Sequence, residues 1–233
     1  MLFLLVHTAL ALDVTPLQAV LQRHVDEQGR VDYAALQDDA SLGTFTAALA
    51  TTAEPSQPDA KMAFWINAYN ALTLSLIAEN YPLGSIRELD GGDPWNMRMF
   101  TVANQSVTLN HIEHQILRPM NDARIHAALN CASRGCPPLS TTPFTGEQLD
   151  TQLHSASARW LAANGIAIDT ENASVRLSKI FDWYGEDFVV SDESKEQAAV
   201  RFATQYLPEQ AAFLQSGEYT ISYISYDWGL NGY

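Results

Sequence analysis

The chain has 233 residues, enough to bury a core without covalent help, and its 47% hydrophobic and 17% charged composition belongs to a folded globular protein. Asp and Glu number 27 against 13 Lys and Arg, a formal net charge of -14 that repels phosphate backbones and anionic lipid. Nucleic acid is therefore not an expected partner.

The first eleven residues, Met1 to Ala11, are apolar and end in small residues at Ala9 and Ala11, as a signal-peptidase site requires. The run is too short to span a bilayer and lacks a basic n-region. A cleaved leader over 1–11 is the expectation, with a buried N-terminal strand or helix as the alternative. Export implies a periplasmic or secreted protein with no integral membrane segment after leader removal, in a compartment that permits a disulfide.

Residues 12–58 form an N-terminal helical segment. Leu17, Val20, Leu21 and Val25 recur at helical spacing, Gly29 to Tyr33 turns into a short extended piece, and 33–50 is helical again. Pro55 and Pro58 mark a loop before the core domain, 59–233. The strongest helix covers 60–80, with Met62, Trp65, Ile66, Tyr69, Leu72, Leu76 and Ile77 on a wide apolar face. Residues 83–107 are loop and short strand. Asn110 has the character of an N-cap, with Glu113 three residues on completing a capping box. Ile125, Ala127 and Leu129 alternate with His126, Ala128 and Asn130, the pattern of a strand. Thr145 to Ala163 is helical, 174–180 a strand, Phe181 to Phe188 a short helix, Lys195 to Tyr206 a longer one, and Tyr219 to Tyr226 a closing strand. The fold class is α+β: a helix-rich single domain with a small β-sheet.

Two cysteines five residues apart, Cys131 and Cys136, carry the main ambiguity. Bridged, they are a small staple around the turn that Gly135 permits. Free, Cys131 is a nucleophile followed by small residues Ala132 and Ser133 that leave backbone N–H groups open beside the sulfur. Such a site needs an imidazole, for which His114 and His126 are candidates, and an orienting group, for which Glu113 and Asn67 are candidates. On a strand His126 and Cys131 would face opposite sides, which favours His114 as the base nearest Cys131. A papain-like order would place the histidine after the cysteine, where only His154 stands, so that arrangement requires rearranged connectivity.

The remaining candidates are weaker. His111 and His114 share a helix face, but two histidines at that spacing are a poor metal signal; no metal or other cofactor is expected. Asn67 and Asn70 interrupt an apolar helix and must find partners, with Asn67 expected to point toward the Cys131 loop. Asp182, Trp183, Tyr184, Glu186 and Asp187 cluster aromatics with carboxylates, suited to a groove for a small molecule, peptide or glycan. The bland account has the aromatics in the core and the acids in solvent. Tyr226, Trp228 and Tyr233 read as C-terminal packing.

Several runs together resemble the family known as domain of unknown function number 547: Ala63-Phe64-Trp65-Ile66-Asn67-Ala68-Tyr69-Asn70-Ala71, Asn110-His111-Ile112-Glu113-His114, Arg124-Ile125-His126 through Cys131-Ala132-Ser133 to Cys136-Pro137, Ser178 to Phe188, and Tyr226-Asp227-Trp228. The resemblance covers almost everything after the leader and implies no activity, since the family has no agreed function. Plant members keep a cysteine at the place of Cys131 but none at that of Cys136, which implies a role for Cys131 that needs no bridge. His111 stands where the family has an acidic residue, so no role carries over to it.

Three readings follow. The first is a cysteine-dependent hydrolase or acyl-transferase-like enzyme with Cys131 as nucleophile, His114 or His126 as base, and Ser133, Trp183, Tyr184 and Glu186 on the binding side. The second is a non-catalytic periplasmic binding or interaction domain with a Cys131–Cys136 disulfide. The third is a metal- or carboxylate-based hydrolase using Glu113, His114 and Glu186.

Overall fold

The helix Pro58–Asn80 is the axis of the molecule in a computed structural model that describes residues 12–233. Its buried positions run from Met62 to Ala78 on every face, beyond the one-sided stripe of a surface helix. An all-round apolar helix must be wrapped. The helices Ala40–Thr51 and Leu149–Trp160 and the wide π-turn Ile112–Leu117 pack on it. Thr15–His24 covers Ala40–Thr51 in turn, so Leu17 and Val20 join one core with Trp65, Trp160 and Phe181. The leader expected over 1–11 lies outside the described residues. Among those described, no helix is long and apolar enough to cross a membrane.

Two small sheets complete a helix-rich α+β domain. Strands β1 (Phe100–Val102) and β2 (Gln105–Val107) form an antiparallel hairpin whose two loop residues, Ala103 and Asn104, both hold positive φ, the geometry that matches strand twist. Strand β3 (Ile166–Asp169) pairs antiparallel with β4 (Ser174–Leu177), and β4 pairs parallel with β5 (Thr220–Tyr223). The chain beyond β5 then returns across the molecule. Asn231 N–H donates to Ala132 O at 3.1 Å, Arg134 N–H to Gly229 O at 2.8 Å, and Gly135 N–H to Asp227 O at 2.9 Å. The C-terminus thus braces the cysteine loop from behind.

Three local expectations are corrected. Residues 125–128 form a short helix, Ile125–Ala128, instead of a strand. Every residue from Ile125 to Asn130 is buried, so the alternation of apolar and polar types did not mark two faces. The helix after the hairpin is capped by Thr108, whose hydroxyl accepts from His111 N–H at 3.0 Å, because β2 ends at Val107 and the turn begins at once. Asn110 then lies inside the helix, and Glu113 is free of a capping box. Tyr226 lies past the last strand, which ends at Tyr223.

Candidate active site

The central helix fixes the site with two asparagines that imitate peptide groups. Asn70 donates to Ala128 O at 2.9 Å and accepts from Asn130 N–H at 2.9 Å, clamping the chain just before Cys131. Asn67, three residues earlier on the same face, makes the same pair with Phe144, at 2.8 Å each way. Asn67 therefore holds the Phe144 loop and does not point toward Cys131; Asn70 has that task. Both amides are buried, and each satisfies a backbone donor and acceptor that a loop in the core would otherwise leave bare.

Beyond the clamp the chain turns sharply. Asn130 accepts from Ala132 N–H at 2.9 Å and from the Asn231 amide at 3.1 Å, and donates to Pro137 O at 2.8 Å. Tyr33 in turn donates to Asn231 at 2.8 Å. Ala132 adopts positive φ within this knot, a conformation that L residues hold only when their surroundings enforce it. The turn brings the Cys131 and Cys136 Cα atoms to 6.2 Å, within bridging reach, and the two sulfurs are bonded. Among the described residues no cysteine is free.

The bridge is surrounded by donors. Tyr226 Oη lies 3.1 Å from each sulfur, Ser133 Oγ 3.0 Å from Cys131 Sγ, and Cys131 N–H donates to Cys136 Sγ at 2.9 Å. Disulfide sulfur carries no proton, so the hydroxyls donate. Burial pushes the Tyr226 phenol up to about 12, which keeps it a donor. Cys136 is buried, whereas Cys131 is half-buried and lines a cavity of about 300 Å³.

That cavity also contains His126, Glu113, Asn110, Tyr69, Tyr184 and Ile180, with Trp95, Trp183, Tyr226, Trp228 and Asp93 among its walls. His126 is buried and stacked on Tyr184, ring centroids 4.4 Å apart. Its Nε2 lies 2.7 Å from Asp187 Oδ2, and its Nδ1 has no hydrogen-bond partner among the described residues. A carboxylate only accepts, so Asp187 holds the proton on Nε2 and leaves the Nδ1 lone pair as the basic site of the neutral ring. Arg118 grips the same carboxylate at 2.6 and 2.7 Å. Burial works to raise the Asp187 carboxyl, but the bonds from His126 and Arg118 hold it well below the usual carboxylate range.

The structure separates the remaining candidates. His114 is outside the cavity lining; its Nδ1 accepts from Arg118 Nη1 at 2.8 Å, which occupies the nitrogen a base would use. His126, not His114, shares the cavity with Cys131, and the parity objection to it falls with the strand. His154 stacks on Tyr206. Glu186 is exposed and paired with Lys195 at 3.1 Å, so the carboxylate hydrolase built on Glu113, His114 and Glu186 is not assembled. The acidic run divides three ways: Asp182 pairs with Lys179, Glu186 with Lys195, and Asp187 with His126 and Arg118. Trp183 and Tyr184 do line the cavity, and Ser133 lies behind the bridge, buried. Asp187 as the orienting group and Tyr226 as the sulfur's donor were missed as such. The Trp183-Tyr184-Gly185-Glu186-Asp187 run was the only signal for the first, and nothing local pointed to the second.

A family model described as "Protein of unknown function, DUF547" matches residues 54–161, about half of the chain. The match is narrower than the resemblance read across nearly the whole sequence, and Asp187 and Tyr226 lie beyond its end. No curated protein and no solved structure matches the chain.

Proposed function

The chain belongs to the DUF547 family, whose description names no reaction, and from its geometry we propose a cysteine-dependent acyl-transfer or hydrolytic site. Cys131 is the nucleophile, His126 the base and Asp187 the residue that positions His126. The observation that carries this reading is the shared cavity: half-buried Cys131 and a histidine pinned through Nε2, with Nδ1 unpartnered among the described residues, line one space. Papain-like order is not needed, because a short helix, and not a strand, carries His126 toward the cavity.

The bridged form is the resting, oxidised state. A dithiol reductant supplies two electrons and two protons, leaves as a disulfide, and releases the Cys131 and Cys136 thiols. His126 Nδ1 then takes the Cys131 proton. The Cys131 sulfur attacks a carbonyl carbon, the leaving alcohol or amine takes the proton back from His126, and a thioester remains. Water or a second nucleophile cleaves the thioester and restores the thiol. The Tyr226 and Ser133 hydroxyls stabilise the thiolate by hydrogen bonds to the charged form. An exported location, which a cleaved leader over 1–11 would imply, suits a site that rests oxidised.

The test is acylation of the reduced protein by p-nitrophenyl acetate, read by mass spectrometry. One acetyl group on Cys131, absent from His126→Ala, is expected. A reduced, folded protein that takes no acetyl group overturns the reading, and the bridge is then a staple in a binding domain.

A further inference from the structure

Glu113 is the part of the cavity that acyl transfer does not use. Glu113 is more than nine-tenths buried as a residue, it lines the cavity, and it makes no ion pair among the described residues. Tyr69 and Tyr184 face it; burial first, and then its negative charge, push both phenols up. Arg118 senses the same charge but is committed to Asp187 through two hydrogen bonds. A buried carboxylate without a cation is costly, and phenol donors offset only part of that cost.

The rest of the lining points the same way. Among the described residues no lysine or arginine belongs to it, and its second carboxylate is Asp93. Its mouth is aromatic: Trp95 lies 5.8 Å from Trp228, which stacks on Trp183 at 5.8 Å, and Trp183 meets Tyr226 at 4.8 Å. One face of Trp228 already carries the Arg87 guanidinium at 5.0 Å. Aromatic faces beside a carboxylate bind organic cations by charge and ring quadrupole together. The net charge of -14 draws such ligands in and repels anions.

The geometry points to a substrate bearing a protonated amine, with the ammonium group seated between Glu113 and the tryptophans while its acyl carbon meets Cys131. This rests on the acyl-transfer reading for the chemistry, but the binding stands without it. The test therefore uses the oxidised protein, in which no thiol is available, and measures calorimetric affinities for n-butylammonium, n-butanol and butyrate.

Butylammonium is expected to bind about ten-fold more tightly than butanol, with butyrate weakest. Glu113→Gln should bring butylammonium down to the level of butanol. Trp183→Ala, at a position 46% exposed, should weaken butylammonium several-fold without touching the core, and it decides the matter with the wild-type ranking if Glu113→Gln fails to fold. Equal affinities, a preference for butyrate, or a cation preference that survives Glu113→Gln overturns the inference. A protein that ranks the probes as stated, but whose reduced Cys131 takes no acetyl group, overturns only the acyl-transfer reading.

Discussion

Replacing Asp187 by asparagine tests the positioning of His126 and the stability of the fold in one variant. The carboxylate receives Arg118 Nη2 on Oδ1, and both Arg118 Nε and His126 Nε2 on Oδ2. An amide has a single acceptor oxygen. Whichever way it turns, its NH₂ group faces a donor. If the NH₂ faces His126, the ring must accept at Nε2 and carry its proton on Nδ1, the tautomer that cannot take a thiol proton. At least one charge-assisted bond is lost, and such bonds contribute about 1.5–3 kcal/mol. Exposure of the pair, 22% for the Asp187 side chain and 28% for Arg118, places the loss at about 2 kcal/mol. For a chain of this length that lowers Tm by about 4–8 °C.

The pH dependence has a definite sign. Burial opposes, and the bonds from His126 and Arg118 outweigh it, so the folded carboxyl lies below its ordinary value of 3.8. A depressed carboxyl contributes stability that is full above the unfolded value and fades as pH falls through the folded one. Thermal melts followed by circular dichroism should show a Tm gap between wild type and Asp187→Asn at about pH 5 that narrows below about pH 4. A gap that does not change with pH, or a variant as stable as wild type at neutral pH, refutes the reasoning.

Three further outcomes follow from the same geometry. Cys136→Ser should fold, because closing so short a loop contributes on the order of 2 kcal/mol, and should leave one thiol at Cys131 that a thiol titration detects. Asn70→Ala should lower stability by about 2–4 kcal/mol in urea unfolding, since it bares Asn130 N–H and Ala128 O in the core; a loss below about 0.5 kcal/mol contradicts the clamp. In the Cys136→Ser background, Tyr226→Phe should move the pH midpoint of Cys131 alkylation upward by removing a donor to the thiolate, and an unmoved midpoint excludes Tyr226 from that role.

Periodicity identified what depended on a face. Periodicity found the amphipathic helix at 15–24, while the central helix, buried on every face, was legible from the length of its apolar run. It failed where burial is complete on all sides, as at Ile125–Ala128, since a segment without a solvent face has no alternation to read. The capping box at Asn110 and Glu113 was a sound local pattern overridden by the hairpin, which starts the helix at Thr108 and releases Glu113 into the cavity. The nucleophile candidate, Cys131, and the imidazole, His126, were visible as residue types. Their partners were not. Asp187 is 61 residues from His126, and Tyr226 is 95 from Cys131, both brought in by tertiary packing that local spacing cannot encode.

The central claim, that His126 activates Cys131, is tested most directly by the pH profile of Cys131 alkylation with iodoacetamide in the Cys136→Ser protein, with and without His126→Ala. An activated thiol should react with a midpoint well below the ordinary cysteine value of about 8.5, and His126→Ala should return the midpoint to that value. A midpoint at or above about 8.5 in the parent protein, or one that His126→Ala leaves in place, contradicts the account.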